Sequence, residues 1–287
     1  TEIYTLSLHD ALPIYIDLPG LLELAENFVS SVVKRVLKDN RPELETLGAD
    51  IAMLEKIEPP FHRLTYTDAA DILTSSRTVQ FMAEQLEQFK SQKAALEKQL
   101  ADIETADKAG GLKQWQKDKN ARLQIELRAE LDELNIKIEN NPKHAQLASE
   151  FKWGKDLGGS DETIISLMHD KPVFVTHYPR EAKAFYMKTD RDNPKVVQNF
   201  DLLASQGFGE IIGGSVREDD FQYLLKRIEE EGYNPQSYEW YLDLRKHGSV
   251  PHGGFGLGVE RTVAWITTER PIRQCIAFPR LMDNVCI

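Results

Sequence analysis

Apolar residues between Leu18 and Leu37 recur at three- and four-residue steps, at Leu21, Leu24, Ala25, Phe28, Val32 and Leu37. That spacing predicts a helix, with Pro19 suited to its first turn. Phe61 to Tyr66 alternates as a strand does, and Thr67-Asp68-Ala69-Ala70 predicts a short helix capped by Thr67. Further on, Pro172 to Tyr178, Phe185-Tyr186-Met187 and the stretch around Glu210-Ile211-Ile212 read as strands. Asp219 to Glu231 reads as an exposed helix stopped by Gly232.

Between about 77 and 145 the pattern changes in kind. Val79, Met82, Leu86, Phe89, Leu96, Leu100 and Ile103 follow a heptad a/d track, with Lys93 the one polar intruder. After Gly110-Gly111 a second helical run passes through Leu112, Trp115, Leu123, Leu127, Leu131, Leu134 and Ile138. Two such helices around a glycine turn predict an inserted antiparallel helical coiled-coil hairpin at 77–149, each arm reaching roughly 40 Å at about 1.5 Å per residue. The arm reads as a plain spacer or as a surface for RNA or another subunit. Strands grouped after helices point to an α+β fold with an antiparallel sheet flanked by helices.

Composition adds limits. Charged residues at 28% and hydrophobic residues at 41% suit a chain with a real core. No run approaches the eighteen or so apolar residues of a membrane span, so no membrane partner is expected. Two cysteines, Cys275 and Cys286, leave no disulfide framework, and the expected location is cytoplasmic. A net charge of −11 argues against general nucleic-acid affinity, although an acidic protein can hold a local basic surface.

The densest chemistry lies at Pro251-His252-Gly253-Gly254-Phe255-Gly256-Leu257-Gly258-Val259-Glu260-Arg261. Glycines there let backbone approach a ligand or a neighbouring strand. An arginine at a strand-to-helix junction beside bare backbone suits a polyphosphate, whose oxygens match the guanidinium fork. Taken alone, the same residues fit a glycine-rich turn with an exposed arginine.

This block resembles the third signature motif of class II aminoacyl-tRNA synthetases, in the asparaginyl form. Gly209-Glu210-Ile211-Ile212-Gly213-Gly214-Ser215-Val216-Arg217-Glu218 is similar to the same family's metal- and amino-acid-binding strand. Further similar blocks, in the family's order, are Trp153-Gly154-Lys155-Asp156-Leu157, Tyr178-Pro179, Lys183-Ala184-Phe185-Tyr186-Met187, Tyr238 to Arg245 and Phe278-Pro279-Arg280. The resemblance covers roughly 15–75 and 150–287. It implies a class II synthetase-type sheet, partial in this chain, in catalytic-domain parts 15–76 and 150–287.

The implied activity is ATP-dependent activation of asparagine and its transfer to tRNA(Asn), in an enzyme that is a homodimer when complete. An anion must attack a polyanion, so the site needs Mg²⁺ on carboxylates and arginine on phosphates, with no covalent nucleophile. By resemblance, Glu210 meets Mg²⁺ and ATP, with Asp201 as second metal carboxylate. Arg261 meets the γ-phosphate, with Gly258 and Glu260 beside it. Arg217 reaches the amino-acid side chain, and Glu162, Lys183 and His252 are further amino-acid-pocket candidates. The wording of the blocks favours asparagine over aspartate. Three alternatives stay open: an aspartyl-tRNA synthetase, a related asparagine-forming ligase, and a non-catalytic synthetase-like scaffold. Residues 1–14 resemble no part of the family and read as a non-native extension. The resemblance also implies a fragment without the anticodon-binding barrel and the first two signature motifs, expected to be inactive alone.

Overall fold

A computed structural model describes residues 13–109, 113–269, 271–281 and 284–285. In chain order the elements are α1 (Leu18–Asp39), α2 (Arg41–Leu47), α3 (Ile51–Leu54), β1 (His62–Thr65), α4 (Tyr66–Thr74), α5 (Ser76–Ala109), α6 (Gln114–Ser149) and α7 (Gly159–Leu167). They continue with β2 (Val173–Thr176), β3 (Asn199–Ala204), β4 (Gly209–Val216), α8 (Phe221–Glu230), α9 (Glu239–Lys246), β5 (Gly253–Leu257), α10 (Val259–Thr267), β6 (Arg280–Leu281) and β7 (Asn284–Val285). Two compact units form, one from the chain up to Asp71 and from Lys152 onward, the other Ile72–Phe151. Most of the proposed extension 1–14 and the Gly110-Gly111 turn lie outside the described residues.

The first unit is α+β. Its sheet runs β1-β2-β3-β4-β5, antiparallel except for one parallel pair, β1 with β2. That pair departs from the all-antiparallel expectation. The chain between the two strands is long and contains helices, so it returns in the same direction with no hairpin constraint. Helix α1 starts at Asp17, whose carboxylate accepts from the Gly20 N–H at 3.0 Å. It lays Leu18, Leu21, Leu22, Ala25, Val29 and Val33 into a core with Phe174, Phe200, Ile212 and Phe255. Leu24 and Phe28 fall off this stripe and stay exposed, because the buried track steps through Leu22 and Val29 instead. Pro13 to Tyr15 runs beside β5, with Tyr15 N–H donating to Pro251 O at 2.7 Å and Gly253 N–H to Pro13 O at 3.2 Å.

Two local expectations change. The cap of α4 is Thr65, not Thr67: the Thr65 amide donates to Asp68 at 3.0 Å and the Asp68 amide to the Thr65 hydroxyl at 3.1 Å. Phe185-Tyr186 forms a turn rather than a strand, closed by Met187 N–H on Ala184 O at 3.1 Å, and Met187 makes only an isolated antiparallel bridge with Arg217. The turn sets the Phe185 ring against Tyr233 and Tyr238. The register of β3 on β4 slips at Leu202/Leu203: Leu202 faces Ile212 and Leu203 faces Glu210, leaving Ile211 as the extra residue of a bulge.

The second unit is a helical hairpin. Asp107 accepts from Asn120 at 2.6 Å and from Gln124 at 2.8 Å, while Arg128 meets Glu104 at 2.9 Å, which sets α5 and α6 antiparallel. Met82, Leu127 and Leu134 are buried. Val79 is 53% exposed because Thr78 takes the inward position and bonds Ile72 O at 2.5 Å. Trp115 is 61% exposed, since Gln116 and Asn120 occupy the inward face at that end of α6. With 34 and 36 residues, the two helices each span about 50 Å, longer than expected.

Candidate active site

The bulge decides what the sheet presents. In a regular strand, side chains seven residues apart point to opposite faces. Glu210 and Arg217 would then be separated by the sheet. The extra residue at Ile211 resets the alternation, and Glu210 shares a face with Gly213, Ser215 and Arg217. Two distances bear this out. A Cβ built on Gly213 would lie 2.7 Å from Glu210 Oε1 and 3.5 Å from Asp201 Oδ1. At the other end of the strand, the Arg217 guanidinium donates to the Ser215 hydroxyl. On β5, Gly256 pairs with Gly213 and Gly254 with Ser215, so the same face is floored by small residues.

At one end of this floor six charged side chains converge. Lys183 Nζ sits 3.0 Å from Asp201, 3.0 Å from Asp156 and 4.1 Å above the Tyr178 ring. Glu162 reaches in from α7 and accepts from the Glu210 N–H at 3.0 Å. Gly209 makes room for it: its φ is +74°, and a Cβ there would lie 2.8 Å from Glu162 Oε2. Arg261, at the start of α10, donates to Glu210 O at 2.9 Å and lies 3.7 Å from the Glu210 carboxylate.

The electrostatics follow from crowding. Burial, then the charges of Asp201 and Glu162, push Glu210 up to about 7, with Arg261 and Lys183 opposing. Burial likewise raises Asp201, against the pull of Lys183, and raises Glu162. Burial works against the Lys183 ammonium, but the Asp201 and Asp156 carboxylates outweigh it and hold its pKa above the ordinary value. Four carboxylates, Asp156, Glu162, Asp201 and Glu210, against two cations leave the cluster short of positive charge.

At the other end, Arg217 lies 4.8 Å over the Tyr186 ring, and its amide donates to His252 O at 2.9 Å. The His252 imidazole is engaged within the chain, Nδ1 with Val250 O at 2.8 Å and Nε2 with the Arg245 guanidinium at 3.4 Å. With Arg245 donating to Nε2, the proton sits on Nδ1. Gly258 donates to Ile211 O at 2.8 Å, and a Cβ there would make only ordinary contact with Arg261. One Glu260 oxygen, Oε2, is buried with no hydrogen-bond partner among the described residues.

Sequence reasoning named Asp156, Tyr178, Tyr186 and Arg245 only as parts of blocks and gave them no role. Asp156 is the second anchor of Lys183, and Tyr186 is the platform under Arg217. A cleft of about 720 Å³ lined by Lys188, Asp190, Glu218, Asp219 and Tyr223 contains none of the expected site residues.

The Lys183 pairing gives a direct test. Lys183→Met leaves Asp201 buried beside other carboxylates with its main counter-charge gone. Losing one partner of a buried pair costs about 3 kcal/mol. Asp201 escapes that cost at low pH by taking a proton, because its pKa is already raised. The melting temperature is therefore expected to fall more at pH 8 than at pH 5. Equal losses at both values would refute the pairing.

The sequence pattern of the tRNA synthetases class II (D, K and N) matches residues 9–282. The chain belongs to that family. The family match starts six residues before Tyr15, within the segment read from sequence as an extension. The chain is 36% identical over 271 residues to the asparagine–tRNA ligase of Sorangium cellulosum, and 37% identical over 280 residues to that of Pyrococcus furiosus. These alignments cover 94% and 98% of the chain and 48% of each relative, so the chain spans about half the length of the curated relatives it matches. Among solved structures, the asparaginyl-tRNA synthetase of Pyrococcus horikoshii complexed with asparaginyl-adenylate superposes with a TM-score of 0.66 at 36% identity, covering 94% of this chain and 46% of that one. An aspartyl tRNA synthetase from Entamoeba histolytica, at 18% identity and a TM-score of 0.61, shares the fold. For this class II synthetase chain, the five-stranded sheet with flanking helices is the catalytic-domain architecture of the family.

Proposed function

We propose that this chain supplies the phosphate- and amino-acid-binding face of an asparaginyl-tRNA synthetase. The whole enzyme would activate asparagine with ATP and pass it to tRNA(Asn), and would work as a homodimer. The observation that carries the reading is the bulge at Ile211, which brings Glu210 and Arg217 to one glycine-floored face with Arg261 at its edge.

In that reading Arg261 grips the terminal phosphates of ATP, with Gly258 and Glu260 shaping the junction around it. Glu210 and Asp201 fit Mg²⁺: both are hard oxygen donors, and the cluster is held short of positive charge. When bound, the ion would neutralise phosphate charge as the asparagine carboxylate attacks the α-phosphate and pyrophosphate departs. Arg217, held by Tyr186 and Ser215, faces the amino-acid end and offers guanidinium donors to the amide oxygen of asparagine. Glu162 and Lys183 act one step back, Glu162 on the Glu210 amide and Lys183 on Asp201. His252 supports the strand ends beside Arg217. Asparagine is favoured over aspartate because the similar proteins are asparagine–tRNA ligases, and one solved neighbour is an asparaginyl-tRNA synthetase complexed with asparaginyl-adenylate.

The test is ATP–pyrophosphate exchange by the full-length enzyme carrying this chain. Exchange driven by asparagine well above that driven by aspartate is the expected result. The reverse preference would assign an aspartyl enzyme instead.

A further inference from the structure

The helical hairpin spreads its charge unevenly. Along the stem most cations are matched by acids, as with Lys90 and Glu87 at 2.8 Å, Lys93 and Glu97 at 3.8 Å, Lys137 and Glu133 at 2.9 Å and Lys143 and Glu139 at 2.8 Å, while Arg77 and Lys98 form no ion pair among the described residues. Toward the tip this stops. Lys108, Lys113, Lys117, Lys119 and Arg122 are all exposed, and among the described residues none of them forms an ion pair. The two acids in the same stretch are occupied by amides, Asp107 by Asn120 and Gln124, and Asp118 by Gln114 at 2.9 Å. Trp115, 61% exposed, stands among these cations.

This arrangement costs the helix stability. Helix α6 has no acidic residue in its first turn. Lys113 and Lys117 sit instead at its positive end, where the macrodipole favours anions. They are also like charges at i,i+4, as Lys119 and Arg122 are at i,i+3, and such pairs repel. The chain as a whole carries −11, so a cationic tip is not a by-product of composition. Unpaired cations around one exposed indole match the two demands of an RNA strand, charge for phosphates and an aromatic plane for an unstacked base.

We propose that the hairpin tip is a docking surface for RNA, with Lys108, Lys113, Lys117, Lys119 and Arg122 on backbone phosphates and Trp115 on an unpaired base. In the setting proposed above that RNA is tRNA, and in this respect the inference rests on that reading. The contacts read backbone rather than sequence, so the tip adds affinity and leaves amino-acid choice to the sheet.

The experiment is fluorescence anisotropy of a labelled tRNA(Asn) transcript titrated with the chain between 50 and 200 mM KCl. The double variant Lys117→Glu/Lys119→Glu is expected to weaken binding about tenfold or more at 50 mM. It should also reduce the slope of log affinity against log salt by about 2. Trp115→Ala is expected to weaken binding about fivefold or more without changing that slope. Lys98→Glu, on the stem, serves as control and should bind as the parent does. Circular dichroism checks that each variant keeps its helices. Parent-like binding by both tip variants would overturn the proposal, and so would displacement of the RNA by polyglutamate of equal charge. Asparagine-dependent pyrophosphate exchange by the full-length enzyme carrying this chain needs no RNA and separates the two readings. If exchange persists while tip variants bind RNA like the parent, the tip fails alone. If exchange is absent but the tip variants lose RNA, the substrate reading fails and the RNA surface stands.

Discussion

Arg261→Ala in the full-length enzyme is expected to lower asparagine-dependent pyrophosphate exchange by about 10²–10³-fold, the range seen when one preorganised donor to developing charge is removed. The side chain is anchored by a single nitrogen, Nη1, on Glu210 O, and stays half exposed at the edge of the glycine floor. Its remaining donors have no hydrogen-bond partner among the described residues, which leaves them available to a ligand. Arg261→Lys keeps the charge and loses the planar fork, so most of the deficit should remain. The pH profile carries a second signature. Glu210 must be ionised to hold a cation, and its pKa stands near 7 with Arg261 among the charges that hold it down. Removing Arg261 raises it further, so the activity limb shifts to higher pH and the deficit is larger at pH 7 than at pH 8.5. Exchange at parent rates, with an unshifted limb, would remove Arg261 from the site.

The same group links the site to stability. Glu210 binds its proton more tightly in the folded chain than in the unfolded one, whose pKa is near 4.5. The folded state therefore loses stability as pH rises from about 4.5 through about 7. After discounting for partial exposure, the penalty above pH 7 is about 1 kcal/mol. Glu210→Gln is expected to melt about 2–4 °C higher than the parent at pH 8 and no higher at pH 5. A variant that melts lower at pH 8 would mean that the carboxylate is stabilised there by a partner rather than strained by its neighbours.

Much of the site is legible in the sequence because it rests on residue type and order. The glycines before Arg261, the strand running into a helix, and the Glu210–Arg217 block are all visible as letters. The bulge is not. Nothing in Glu210-Ile211-Ile212 announces an extra residue, since both isoleucines suit a strand, and the slip is set by how β3 and β4 pair across their turn. Strict alternation would have placed Glu210 and Arg217 on opposite faces, and only the resemblance joined them in one site. The cap of α4 is illegible for a related reason. Thr65 and Thr67 are both capping types, and tertiary pairing of β1 fixes which one ends the strand. Phe185–Met187 has strand composition, yet its aromatic ring finds more contact in a turn against Tyr233 and Tyr238. Lys93 sits on the hairpin seam as the heptad reading places it, half-buried and paired with Glu97, while Trp115 leaves the track where amides take over.

Two neighbouring glycines give the sharpest test of the bulge, because it sends them to opposite faces. A Cβ on Gly214 would come 2.5 Å from Phe200 Cζ and 2.7 Å from Phe255 Cβ, both buried in the core under α1. Both side chains are buried and something must shift, and overpacking of this kind costs about 3 kcal/mol. Gly214→Ala is expected to lower the melting temperature by about 10 °C. On Gly213 the added Cβ meets instead the end of a flexible side chain, Glu210 Oε1, at 2.7 Å. That carboxylate can swing aside, so Gly213→Ala should melt within about 2 °C of the parent. The cost appears in function, since displacing a positioned group by about 1 Å can lower the rate about 10²-fold. Thermal melts and pyrophosphate exchange on the two variants should therefore part company, Gly214→Ala failing in the melt and Gly213→Ala failing in the assay. If their effects exchange places, β4 presents the other face, and the site assembled around Glu210 and Arg217 does not exist.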